Sequence, residues 1–279
     1  MARLAPRRVL PTLQSLAGVR AVCQSQHSIL PRTLSTHSPL GGEPLYPTHI
    51  PTNPLQRTLL TFGAAAGALM SPARADLVAT LGETTGYFAL NRMRDGMLND
   101  EVGRQILDER PRIVHSTVAH CWELPPNTFG GAYAKFMGDR GFSADDRPPV
   151  RFVDDPELAY VAARAREVHD FWHVLFDLNT SVLGEAALKA VEFAHTGMPM
   201  CALATLAGAV RLQGRRRELL QSVYLPWGVQ AGLRCAPLLC LRYEDHFHED
   251  LQELRARWRI QVAPAMPGGM FENKTGAKA

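Results

Sequence analysis

Residues 167–188 read EVHDFWHVLFDLNTSVLGEAAL. The chain leads into this stretch through Asp154-Asp155-Pro156, an acidic helix start in which the proline's missing N–H would lack a partner anyway. Apolar residues then return at helical spacing, at Leu158, Val161, Ala165, Val168, Trp172, Leu175 and Phe176, and predict one helix over 155–177. On that helix His169 and His173 stand one turn apart on one face, with Asp170 on its flank. Were the helix to run on, twelve residues at about 1.5 Å each would put Glu185 roughly 18 Å beyond His173. The run Asp177-Leu178-Asn179-Thr180-Ser181 offers a way out, because short polar residues end one helix and cap the next. A reversal at Asn179 sets two antiparallel helices side by side and brings His173 level with Glu185.

Two imidazoles and two carboxylates so placed present N and O donors to a single divalent cation. His169, Asp170, His173 and Glu185 are therefore the expected metal ligands. Zn2+ suits such a set, and Fe or Mn accept the same donors. A His-x-x-x-His pair by itself occurs on many amphipathic helices without chemistry; the two carboxylates are what turn it into a metal reading. The zinc-protease pattern is not met, since Asp170 follows the first histidine where that chemistry places a glutamate base. A phosphohydrolase arrangement using His115 or His120, His169-Asp170 and Asp245 would leave His173 and Glu185 without a task. The second ring nitrogens of both histidines are expected to donate to a backbone carbonyl or carboxylate; Glu167 and Asp177 are near in sequence, but nothing in the pattern turns them to the site.

Helical pattern extends over the rest of the chain, near 55–72, 76–95, 99–108, 116–123, 130–138, 181–195, 199–222, 226–234 and 244–258, with hardly any strand-like alternation. The expected fold is all-α: a single largely helical domain, with the metal site on two adjacent antiparallel helices. Cysteines 23, 121, 201, 235 and 240 are scattered, as free thiols in a reducing compartment are. The first 42 residues hold Arg3, Arg7, Arg8, Arg20 and Arg32 and no acidic residue, the composition of a mitochondrial transit peptide. We place that segment at 1–34, the metal-binding domain at 43–264 and a tail at 265–279. Without its leader the chain keeps 25 basic residues against 27 acidic ones, so its charge gives no reason to expect nucleic acid. The most apolar run, Met198 to Val210, is too short to span a bilayer, for which about twenty residues are needed. It ends in Arg211 and Arg215-Arg216-Arg217, which suits either a helix lying on anionic lipid or a core helix with a solvated basic end. Tyr224, Pro226 and Trp227 are read as packing rather than as a lipid groove.

The stretch HDFWHVLFDLNTSVLGE resembles the zinc motif of the coenzyme Q (ubiquinone) biosynthesis family acting at C1 of the benzoate ring. The resemblance also covers YPTHIPTNPLQRTLL at 46–60, DLVATLGETTG at 76–86, ILDERPRI at 106–113, FGGAYAKFM at 129–137, DDPELAYVAARAREVHD at 154–170, GMPMCALA at 197–204 and YLPWGVQAG at 224–232. Arg242 departs from it, standing where an aromatic is expected. The resemblance implies metal-dependent decarboxylation, oxidative in one version, of a 4-hydroxy-3-methoxy-5-polyprenylbenzoate to a 2-methoxy-6-polyprenylphenol. It also implies a peripheral place on the matrix side of the inner mitochondrial membrane, other coenzyme Q enzymes as partners in a multi-subunit complex, and a homodimer. A prenyl-lipid-binding scaffold that organises that complex without catalysis is the alternative. No catalytic residue beyond the metal ligands is singled out.

Overall fold

Short polar side chains open most of the long helices, because they take up N–H groups that the first turn leaves without partners. The computed structural model describes residues 42–71 and 74–265. The expected leader at 1–34 lies outside the described residues, and so does the expected tail from 266 on. Asn53 and Gln56 form a reciprocal capping box at the start of α1 (Pro54–Met70). After α2 (Ala75–Thr85) and α3 (Tyr87–Leu98), Asp100 caps α4 (Glu101–Glu109). A short α5 (His115–Val118) precedes α6 (Phe129–Gly138), which Thr128 caps. Asp155 accepts from two backbone N–H groups at the head of α7 (Pro156–Glu167), which leads into α8 (His169–Phe176). Ser181 caps α9 (Val182–Thr196), followed by α10 (Pro199–Arg211), α11 (Gly214–Leu219), α12 (Leu225–Arg234) and, behind Asp250, α13 (Leu251–Arg257). Among the described residues the only β pairing is an isolated bridge between Thr128 and Asp250, so the fold is all-α.

Four expected helices are divided or shortened. The 76–95 helix breaks at Gly86, where Met198 packs against the backbone. The 155–177 helix is split at Val168, with the turns on either side tied to different neighbours: Arg164 to Glu244, and His169 to Glu192. Leu212 is extended between α10 and α11, and the Arg217 guanidinium takes up the carbonyls of Val210 and Leu212 there. The 244–258 helix forms only from Leu251; its front is a 3-10 turn at Tyr243–Asp245.

The apolar face of α8 enters an aromatic core. Phe171 lies edge-on to Tyr133 at 4.7 Å and to Phe129 at 5.2 Å. The Trp172 indole N–H donates to the Tyr243 hydroxyl at 3.0 Å, which donates to the Leu238 carbonyl at 2.9 Å. The opposite, polar face of α8 is thereby left towards α9. Tyr224 and Trp227 are buried and tie down the C-terminal segment through the carbonyls of Pro264 and Gln261, which is the packing role expected of them. Cys121, Cys201, Cys235 and Cys240 are free and buried. Arg242, where an aromatic was expected, pairs with Glu109.

Helix α9 sits among α8, α10 and α12. At Gly208 an added Cβ would come within 2.7 Å of the Ala186 Cβ, so α10 lies almost in contact with the α9 backbone. The turn from α8 to α9 is tighter still. Asp177 ends α8 in the left-handed region at φ 56°, and at Gly184 a Cβ would lie 2.1 Å from the Asn179 carbonyl oxygen. Gly184→Ala should therefore cost about 1–3 kcal/mol by forcing backbone apart. Gly63→Ala, on a helix surface with nothing within 4 Å, should instead gain up to about 1 kcal/mol from helix propensity. Urea unfolding of the two variants beside the parent chain measures both.

Candidate metal centre

Both histidines of α8 are locked from behind. The ring Nδ1–H of His173 donates to the Leu178 carbonyl at 3.1 Å, and that of His169 reaches the Glu192 carboxylate at 2.5 Å. With the Nδ1 positions so used, a ring that is neutral carries its lone pair on Nε2, and the two Nε2 atoms lie 3.2 Å apart. Glu185, on the first turn of α9, sets one carboxylate oxygen 3.2 Å from the His173 Nε2 and the other 3.9 Å from the His169 Nε2. All three ligand atoms lie within 4.8 Å of one another.

Lone pairs and a carboxylate facing one point repel unless positive charge stands between them. The N···N spacing agrees with the roughly 3.3 Å separating two imidazole ligands on a tetrahedral zinc ion. His173 is buried, with 1% of its side chain exposed, and its ring stacks on Phe136 at 5.1 Å; Glu185, at 36%, is the open edge. The donor set fits a divalent cation.

Charge in the group is ordered. Burial opposes ionisation of Glu185, but His173, then His169 and Lys189, pull its carboxyl down to about 2. Burial and the nearby Lys189 work against a proton on His169, and Glu192 with Glu185 outweighs them, so its value is raised. Burial likewise opposes the charges of Lys189 and Glu192. Their mutual attraction prevails: the lysine is raised, and the glutamate lies well below the usual carboxylate range.

Asp170, expected as a fourth ligand, is not brought into this group. It pairs with the Arg147 guanidinium, which also donates to the Ala144 carbonyl at 2.8 Å. One residue of helix turns a side chain about 100° from its neighbour, and a buried cation waits on that side. Glu167 and Asp177 stand away as well. Glu167 accepts from Arg112 at 2.6 Å and from the Ile113 N–H at 2.8 Å, while Asp177 is the exposed end of α8. The phosphohydrolase set is not assembled: His120 stacks on His248, Asp245 lies beside Arg242, and neither joins His169 among the described residues.

Sequence reading missed Glu192 and Lys189. Lys189 donates to Glu192 at 2.7 Å, and the Cys201 thiol approaches the same oxygen at 3.1 Å. A signal was there: Glu185, Lys189 and Glu192 recur at i, i+4 and i+7 and share one face of α9.

The coenzyme Q (ubiquinone) biosynthesis protein Coq4 family model matches residues 46–264. The chain belongs to this family. It is 42% identical over 259 residues to the mitochondrial ubiquinone biosynthesis protein COQ4 of Uncinocarpus reesii, covering 91% of this chain and 92% of that one. The human mitochondrial COQ4 homolog is 45% identical over 232 residues, 82% of this chain and 88% of its own. A crystal structure of a putative ubiquinone biosynthesis protein from Nostoc punctiforme superposes with a TM-score of 0.58 at 21% identity, over 72% of this chain and 97% of that one; it supports the fold.

His169→Ala, His173→Ala and Glu185→Ala should each abolish metal retention while leaving the helices folded. Asp170→Asn should keep the metal and lose about 1–3 kcal/mol of stability by leaving Arg147 without its charge partner. Elemental analysis and circular dichroism of the four purified variants check both outcomes.

Proposed function

We propose that this chain acts in ubiquinone biosynthesis as a metal-dependent carboxy-lyase, removing the C1 carboxylate of a 4-hydroxy-3-methoxy-5-polyprenylbenzoate and leaving a 2-methoxy-6-polyprenylphenol. One observation carries the reading: the Nε2 atoms of His169 and His173 and the Glu185 carboxylate converge on one point, with His173 buried and Glu185 at the open edge. His169, His173 and Glu185 would hold the ion, zinc by preference, with iron or manganese acceptable to the same donors. Three protein ligands leave a position for substrate, as catalytic zinc sites do. When bound, the ion supplies positive charge that orients the carboxylate and offsets charge developed at the ring.

The reaction breaks the C1–carboxyl bond, releases CO2, leaves the electron pair on C1 and fills that position with a proton. An oxidative version would place oxygen at C1 instead of the proton, with dioxygen as oxidant giving the 1,4-benzoquinone, CO2 and one water. The protein's share is orientation and exclusion of water. Glu192 and the Leu178 carbonyl fix the imidazole planes, and Phe136 covers the face of His173. Arg140 lies 4.0 Å from the centre of the Phe136 ring, over its face, and donates to Thr180 at 3.2 Å, which steadies the wall of the site.

A prenylated substrate has to be met at a lipid surface. No helix among the described residues is long and apolar enough to cross a membrane. Two helices nevertheless turn uncharged stripes outward: Leu55, Leu59, Phe62 and Leu69 on α1, and Leu203, Leu206 and Val210 on α10. They meet at their C-terminal ends, where Arg211 donates to the Leu69 carbonyl, and the exposed Arg215 and Arg216 follow. Apolar stripes next to exposed arginines suit peripheral binding to anionic lipid, which fits a place on the inner mitochondrial membrane beside other enzymes of the route.

The deciding experiment gives the purified, zinc-loaded full chain a prenylated benzoate labelled at the ring carboxyl. Labelled CO2 should be released, and the Glu185→Ala variant should release none. If the parent chain is inert while its metal-site variants fail to assemble with the other enzymes, the protein is a prenyl-lipid scaffold instead. Separately, Phe62→Ser combined with Leu206→Ser should lower co-sedimentation with cardiolipin-containing vesicles at least several-fold, and raised salt should weaken the parent's binding.

A further inference from the structure

We infer that Glu192 is the positioning residue of the metal centre: it sets the tautomer and ring orientation of His169, and Lys189 holds it in place. The inference rests on the metal reading of the site for its consequence, but its geometry stands without an ion.

Two groups compete for the back of the His169 ring. Glu192 lies 2.5 Å from Nδ1 and the Lys189 ammonium 3.4 Å from the same atom. A bare Nδ1 beside an ionised carboxylate at that distance would set lone pair against lone pair. The contact therefore requires a proton between them, which the ring supplies from Nδ1. The lysine is too far for a good bond to the ring and instead donates to the other Glu192 oxygen at 2.7 Å. The alternative tautomer would put a proton on Nε2, pointing into the centre and excluding a cation.

The arrangement is also costly to keep without a purpose. Glu192 is buried, and the Lys189 side chain is only 14% exposed. Burying both charges is repaid only where geometry and hydrogen bonding are complete. Here the carboxylate is fully used, by His169 on one oxygen and by Lys189 and the Cys201 thiol on the other. Helical spacing places Glu185 and Glu192 two turns apart on α9, so one rigid element holds a ligand and the support of another ligand. Outer carboxylates of this kind orient ligand imidazoles and raise their basicity, and losing one costs about 10–100-fold in metal affinity.

The test uses full-length Glu192→Gln and Glu192→Leu chains beside the parent. Nitrogen-15 spectra of the metal-free proteins report the His169 tautomer, and cobalt titration followed by visible absorption reports affinity and ligand field. The parent should show His169 protonated at Nδ1. In Glu192→Leu the ring should populate the Nε2–H form, cobalt should bind about 10–100-fold more weakly, and the absorption band should shift. Glu192→Gln keeps an acceptor without the charge, so it should retain the tautomer and lose less affinity; it also keeps the test open if the leucine variant fails to fold. An unchanged tautomer in Glu192→Leu, or cobalt affinity equal to the parent's in both variants, overturns the inference. A parent that binds no cobalt, yet whose tautomer follows Glu192, sinks the metal reading while leaving the positioning role standing.

Discussion

The turn between α8 and α9 is the constraint on which the site depends. Leu178 is gripped twice by one residue: its N–H donates to the His173 carbonyl at 2.9 Å, and its carbonyl accepts from the His173 ring. The same few residues thus end a helix, choose the tautomer of a histidine and send the chain back. Arg255 takes up two more carbonyls at that end, donating to Val174 and Leu175 at 2.8 and 2.9 Å, and the Ala263 N–H takes the Phe176 carbonyl at 2.9 Å. Gly184 then lets the returning backbone pass close under Asn179, and Glu185 emerges beside the ring that started the turn. Loosening any of these moves the carboxylate relative to the imidazoles by ångströms, which is the scale on which a cation is held or lost.

Behind the turn, α7 is fixed by charges rather than by apolar contact alone. Arg164, fully buried, forks onto Glu244 and also reaches the Leu241 carbonyl. Arg166 meets Glu83, whose carboxylate takes the N–H groups of Arg151 and Phe152 as well. Glu167 joins Arg112 and the Ile113 N–H. Three ionic groups within four residues so bind α7 to three separate segments. Breaking a buried pair by removing one partner costs about 3–5 kcal/mol, so such pairs specify register strongly even where their net gain is small. His169 follows directly, and its direction inherits that register.

Much of this was legible in the residues. Asp155 and Ser181 cap helices where their sequence context places them, because capping uses atoms two or three residues apart. His169, His173 and Glu185 were found as a set, because i, i+4 spacing and one polar turn suffice to join them. Harder to read were the breaks at Val168 and Leu212, where the apolar period continues and side chains from elsewhere interrupt it. The acid behind His169 was missed for a related reason: Glu167 and Asp177 are near His169 and His173 along the chain but are directed elsewhere in space, and Glu192 comes from the next helix.

The sequence by itself determined the all-α class, the helix starts at Asp155 and Ser181, the reversal near Asn179 and the approach of Glu185 to His169 and His173, since these follow from capping and from helical spacing on either side of one turn. Only the tertiary structure decided that Asp170 answers Arg147 and that His169 answers Glu192. Each of those partners lies 23 residues away along the chain. Local pattern carries no record of which distant charge packing will deliver to a given face. A buried ion takes whichever opposite charge arrives within reach, because leaving it unmatched in a low-dielectric interior costs more than any local preference can recover.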